Sequence, residues 1–222
     1  MASSPETAAP AVDQTDRAAA LLERFKTHRQ MLLGALGALV LLLVVAWFMV
    51  ESGRRKEAAA TGLLEHAWNL QDQGNLPEAS TEFLRVIDTY RGTDAAMQAT
   101  LALNQVRLES GQAQIAVEAL REFLGRTPSP AYAAAAQRQL GAALEDLGQP
   151  AEAAAAYRQS ATLATADFLK AEALLAAARA YRNAGNLEES ARALRTITTE
   201  HQSTGVYTEA LVRLAEITKG AM

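Results

Sequence analysis

The chain contains no cysteine. This excludes disulfides, thiolate zinc sites, iron–sulfur clusters and cysteine nucleophiles together, and it favours neither a reducing nor an oxidising compartment. A basic surplus is also missing. The 21 lysines and arginines are outnumbered by 25 aspartates and glutamates, for a net charge of −4, which disfavours duplex nucleic acid as a partner. Histidine occurs only at His28, His66 and His201, in separate segments and without metal-ligand spacing. No G-x-S-x-G elbow, phosphate loop or dinucleotide fingerprint is present. The acidic pairs Glu145-Asp146 and Glu188-Glu189 are sequence neighbours; on a helix they point about 100° apart and do not converge as a general acid and base. No catalytic, metal-binding or cofactor-binding residue is assigned, and the chain reads as a non-enzyme with no cofactor.

Aromatic residues make up only 5% of the chain, although half of it is apolar. The difference is alanine, with 49 copies among 222 residues. Alanine is the best helix former and a poor strand former, so the composition predicts an all-α fold.

Residues 31–50, MLLGALGALVLLLVVAWFMV, carry no charge. Twenty helical residues span roughly 30 Å, the thickness of a bilayer core. The run exceeds the apolar core of a signal peptide, about thirty residues precede it, and the exit Ala46-Trp47-Phe48-Met49-Val50-Glu51 offers no small-x-small cleavage site. The segment therefore reads as one uncleaved transmembrane helix, with Trp47 and Phe48 in an interfacial belt. Arg17, Arg24, Lys26 and Arg29 precede it, and Arg54, Arg55 and Lys56 follow. The positive-inside rule then places the N-terminus in the cytoplasm and the large C-terminal part outside, by one charge. Residues 1–16 are small, polar and proline-bearing and read as a disordered tail. Residues 17–30 form a basic juxtamembrane segment and 51–56 a linker. Gly34 and Ala38 share one helix face, which admits a weak homodimer through close helix packing.

From residue 57 to 222 a repeat takes over. Gly74, Gly111, Gly148 and Gly185 are spaced by 37 residues. Five positions after them stand Ala79, Ala116, Ala153 and Ser190, and nine positions after stand Phe83, Leu120, Tyr157 and Leu194. Helical periodicity precedes each glycine, as in Leu63, Leu64, Ala67, Trp68 and Leu70. Each unit is thus a helix hairpin in which glycine turns the chain at positive φ, a small residue allows close approach and a larger one fills the gap. About four stacked units share one core. Asp94, Ser129 and Asp167 are the expected N-caps of first helices, with Pro130 at a first helical position. A last helix over 206–219 closes the end.

The repeat resembles the tetratricopeptide repeat. The third unit fits best, with Leu140-Gly141, Gly148, Ala153 and Tyr157, and Pro128 matches the family's terminal proline. The period is 37 instead of about 34, and Asn104 stands where a small residue belongs. The resemblance implies a right-handed α-solenoid whose first helices line a concave, partner-binding groove. Counted back from the glycines, its groove residues are Trp68, Gln98, Gln105, Arg138, Glu145, Arg179 and Arg182; Trp68 reads equally as an interface anchor or as core packing at the edge of the first unit. The pairs Leu64/Trp68 and Leu101/Gln105 stand where some relatives use lysine and asparagine to grip a C-terminal carboxylate, so that clamp is missing in these units. Residues 57–222 hold 14 basic and 20 acidic residues, which disfavours nucleic acid and anionic lipid as ligands.

Basic tail, membrane helix and acidic repeats together are similar in layout to the YfgM family, ancillary subunits of the SecYEG translocon in the bacterial inner membrane. The matching stretch is RFKTHRQMLLGALGALVLLLVVAWFMVESGRRKEAAA. That resemblance implies a periplasmic repeat domain acting as an adaptor for SecYEG, periplasmic chaperones or newly exported chains. The alternatives are an assembly factor of another envelope complex, such as cytochrome maturation or cell division, and a self-assembling scaffold.

Overall fold

The computed structural model describes residues 29–219. The tail 1–16, nearly all of the basic segment 17–30 with His28, and the last three residues lie outside the described residues. The chain divides into two compact units, Met1–Arg54 and Arg55–Met222.

The described part of the first unit is the N-terminal portion of helix α1 (Arg29–Asp72). Its apolar window reaches a mean hydropathy of 2.7 with none of it buried. The side chains from Leu39 to Val45, with Trp47 and Phe48, are all exposed to whatever surrounds the helix. The helix is long and apolar enough to cross a membrane.

The second unit is entirely helical among the described residues. After the C-terminal part of α1 come α2 (Leu76–Thr89), α3 (Asp94–Glu109), α4 (Ala113–Gly125), α5 (Pro130–Asp146), α6 (Pro150–Leu163), α7 (Asp167–Asn183), α8 (Leu187–Glu200) and α9 (Tyr207–Lys219). Hairpin partners pack together, as α5 does with α6 and α7 with α8, and each second helix also packs on the next unit's first helix. The first helices α3 and α5 touch each other. The result is a tetratricopeptide-like solenoid.

The turns explain the architecture. Gly74, Gly111, Gly148 and Gly185 have φ of 76°, 71°, 69° and 77°, a region open to glycine and costly for other residues. At Gly148 the amide donates to the Glu145 carbonyl at 2.9 Å and the Gln149 amide to the Leu144 carbonyl at 2.9 Å. This is the Schellman closure of a helix end, and the same two bonds recur at the other three turns. The residue after each glycine is also the N-cap of the next helix, so only three residues join the paired helices. Such a tight turn brings the second helix hard against the first. Ala79, Ala116 and Ala153 are fully buried and Ser190 is 1% exposed, because no larger group fits there.

At the third unit the approach is close. A Cβ added at Gly141 would come within 2.7 Å of the Tyr157 ring. The ring lies flat against the backbone of α5, and glycine is what leaves the space. The other units place Ala67, Asn104 and Ala178 at that register, all buried. Asn104 is accommodated by bonding locally: its Nδ2 donates to the Thr100 carbonyl at 2.8 Å and its Oδ1 accepts from Arg107 at 3.1 Å. Ser160 and Ser190 similarly donate to the Ala134 and Ala178 carbonyls across the helix interface, at 2.8 and 2.7 Å. Buried hydroxyls are tolerated when a carbonyl is within reach.

Two expected caps are corrected. Asp94 and Asp167 are the first residues inside their helices, not N-caps. Thr93 caps α3, its Oγ1 accepting from the Ala96 amide at 3.1 Å. Ala166 precedes α7, and the Asp167 carboxylate instead meets His201 Nδ1 at 2.7 Å. A carboxylate is favourable anywhere in a first helical turn, so charge alone does not distinguish the two positions. Ser129 does hold the N-cap position but makes no side-chain cap bond.

The glycine roles separate in an unfolding experiment. Gly148→Val should destabilise the full chain in detergent by roughly 1–2 kcal/mol, the cost of a β-branched residue at positive φ. Gly62→Ala, in a helix where an added Cβ meets nothing, should be neutral or stabilising by up to about 1 kcal/mol. Equal effects in urea titrations would refute the turn assignment. Gly141→Ala should cost roughly 1–3 kcal/mol. Adding Tyr157→Leu should recover part of that loss, and strict additivity would show that the ring does not rest on the α5 backbone.

Candidate protein-interaction groove

The inner row of first helices carries the polar cleft of the repeat domain. Its volume is about 340 Å³, and Gln105 of α3, Arg138 of α5 and Arg179 of α7 all line it. Leu108, Ala142, Leu175 and Val206 provide its apolar wall, and Glu172 and Glu209 stand at it as well. Three successive units therefore contribute to one concavity, as the 37-residue register requires. Gln105 and Arg179 each stand six residues before their turn glycine, where unit three has only Ala142. That alanine leaves room, and Arg138, one turn earlier, occupies the rim.

Tyr157 forms the floor. It is 4% exposed, and its hydroxyl donates to Glu145 Oε2 at 2.7 Å. Burial pushes the phenol well above its ordinary value. The hydrogen bond to Glu145 and that residue's charge add to the shift, while the positive charges of Arg179 and Arg138 oppose it. Both guanidinium groups thus act on the same phenol. Glu145 is half-buried and held by that hydroxyl, and it is not among the side chains that line the cleft.

The other groove residues read from the sequence lie elsewhere. Trp68 shares the register of Gln105 and Arg179 but stands in the first unit, 38% exposed and outside this cleft. Gln98 is half-buried against Tyr132. Burial raises the Tyr132 phenol and the Gln98 hydrogen bond pulls it down, with the Asp94 and Glu57 charges adding to the rise. Arg182 points to the C-terminal end, where it faces Glu216 at 3.8 Å and lines a separate depression with Leu187, Ala191 and Ile217. Among the described residues no cluster of histidine, aspartate and glutamate has the arrangement of a metal site.

Three contributors escaped the sequence reading. Gln139 donates from Nε2 to the Leu101 carbonyl at 3.0 Å, tying α5 to α3. Glu172 presents its carboxylate at the cleft. Glu57 accepts from the Asp94 and Ala95 amides, both at 2.9 Å, so the first unit supplies an anion to the N-terminus of α3. The signal for Glu57 was available, since it lies one 37-residue period before Asp94.

Comparison with known families decides the repeat type. Residues 135–167 and 172–204 each match the tetratricopeptide repeat. The chain carries tetratricopeptide repeats. Among solved structures it is similar to a candidate kinesin light chain of Podosopora anserina with nearly identical TPR-like repeats. There the identity is 20% and the TM-score 0.58, over 73% of this chain and 87% of that one. It is also similar to the MamA protein, at 20% identity and a TM-score of 0.53, over 72% of this chain and 86% of that one. These likenesses establish the tetratricopeptide fold. No curated protein matches the sequence.

The Tyr157 environment predicts a pH response. A phenol raised in the folded state contributes stability that is fully present below the unfolded value, about 10, and is lost as pH rises through the folded value. Stability should therefore be level through neutral pH and fall above roughly pH 10. Tyr157→Phe should cost about 1–2 kcal/mol at neutral pH and flatten that alkaline fall. Urea titrations of both proteins at pH 7, 9 and 10.5 check this; parallel curves would refute it.

Proposed function

We propose that this chain is a non-enzymatic adaptor, anchored in the bacterial inner membrane by α1, whose tetratricopeptide repeats bind proteins on the periplasmic side. Its place of work is the Sec translocon, where it holds periplasmic chaperones or newly exported chains. The observation that carries the adaptor role is the cleft built by three consecutive repeats. It is open, mixed in polarity and rimmed by the exposed side chains of Gln105, Arg138 and Arg179. Clefts of this kind recognise extended or helical segments of other proteins. The long apolar helix supports the anchor, and the similarity of layout to the YfgM family supports the translocon as the site of action.

The cysteine-free sequence simplifies the topology test. Ser203→Cys, at an exposed position between α8 and α9, should react with a membrane-impermeant maleimide in intact spheroplasts. Ser4→Cys should react only after lysis; the reverse pattern would place the repeats in the cytoplasm. Crosslinking in native membranes followed by affinity purification of the full chain should recover translocon subunits. Their absence, with another envelope complex recovered instead, would overturn the translocon role.

A further inference from the structure

The last helix has one face that no described residue covers. Thr208, Leu211, Ala215 and Thr218 stand three and four positions apart on α9, so they share one stripe, and all four are exposed. One period of 37 residues earlier stand Ala171, Leu174, Ala178 and Tyr181 of α7, all buried or half-buried, and the same stripe is covered in α1, α3 and α5. The covering element is the second helix of each hairpin. Ser190 of α8 donates to the Ala178 carbonyl at 2.7 Å, and the Tyr157 ring of α6 rests on Gly141. Helix α9 packs on α8 through its other side, with Ala210, Leu214 and Ile217. It is therefore one half of a hairpin, and no helix among the described residues supplies the other half. A depression of about 490 Å³, with Leu187, Ala191 and Ile217 in its wall, adjoins the stripe at Thr218.

We infer that this face is covered by α9 of a second copy of the chain, the two helices lying antiparallel about a two-fold axis. The stripe is self-complementary, as a two-fold contact requires. An antiparallel pair centred at position 213 sets Leu211 of each copy over Ala215 of the other, and Thr208 over Thr218. A large residue then meets a small one twice, as Tyr157 meets Gly141 within the chain. Arg213 lies on the far side of the helix, held by Glu209 at 2.7 Å, so no charge enters the contact. The charge distribution favours the same face. Residues 57–222 carry 20 acidic side chains against 14 basic ones, which makes two copies repel, whereas Glu209 and Glu216 of α9 are balanced by Arg213 and Lys219. The other end of the stack offers no match. In the repeat-domain part of α1, from Arg55 to Asp72, Trp68 is the one exposed large apolar side chain, so a head-to-tail array has no apolar surface to receive α9. Pairing through α9 closes the assembly at two copies. It also brings the first turn of the second α9 to the depression, where Leu187 is exposed.

Because the chain has no cysteine, disulfide crosslinking tests the register directly. Full-length Leu211→Cys and Ala215→Cys chains, carrying different tags and expressed together, should give a mixed disulfide on oxidation in membranes. Leu84→Cys, at an exposed apolar position of α2, should not link to either. Light scattering of the full chain in detergent over a range of concentrations should show a dimer. Leu211→Arg places an unpaired charge in the contact and should raise its dissociation constant roughly tenfold or more, whereas Leu211→Met should keep the dimer. Leu211 is exposed, so the fold is retained, and an unchanged thermal transition of the arginine variant verifies it. The dimer should also survive Gly34→Leu, which crowds the face through which two membrane segments could pair. A monomer at all concentrations, a dimer that survives Leu211→Arg, or one lost with Gly34→Leu alone would overturn the inference. So would a Leu211→Cys chain that links only to a different protein, which would assign the face to that partner.

Discussion

The three-residue reversal around a glycine at positive φ is the constraint from which the repeat domain follows. At Gly74, Gly111, Gly148 and Gly185 one residue closes the first helix and the next already caps the second. No slack remains between them. The helices must cross at a distance that only alanine or serine permits at the fifth position, and the residue at the ninth must reach into whatever space is left. A hairpin this thin cannot surround its own apolar side chains. It buries them against the next hairpin, and the stack follows.

The alanine-rich interior has a second consequence. Close helix backbones bring main-chain carbonyls within reach of buried hydroxyls, so Ser160 occupies a position where the other units place Val86, Phe123 and Ile197, and Ser190 one where they place alanine. Tyr157 uses the same closeness differently. Its ring lies on Gly141 and its hydroxyl emerges at the inner face to meet Glu145. The packing of the third unit thereby fixes the floor of the cleft, and Ala142 beside it keeps the cleft open. The groove is a by-product of how tightly that hairpin is built.

The fold was legible because its determinants are local or periodic. Glycine spacing, the small residue and the large residue sit within ten positions of each other in every unit. The helix starts at Asp94 and Asp167 were less legible, because an acid serves a helix N-terminus equally as a cap or inside the first turn; the decision lay with Thr93 in one case and with His201 in the other. Asn104 stood out as a departure, yet its bonds to Thr100 and Arg107 on its own helix show how a buried amide is satisfied without a partner element. Of the groove residues read by counting, Gln105, Arg138 and Arg179 share one cleft while Trp68, Gln98 and Arg182 do not. Counting finds the face of a helix, but helices in different units end at different parts of the row.

Sequence alone determined that the chain is helical, that one segment is apolar enough to span a bilayer, and that hairpins repeat every 37 residues. Each of these depends on composition, periodicity or backbone geometry within a short window. Tertiary structure decided which side chains meet. Glu57 and Asp94 are 37 positions apart, Gln139 and Leu101 are 38, and Arg138 and Arg179, which line one cleft, are 41. Their proximity depends on how one hairpin lies against the next. That arrangement is set by the fit of buried side chains such as Tyr157 on Gly141, and a periodic pattern does not contain it.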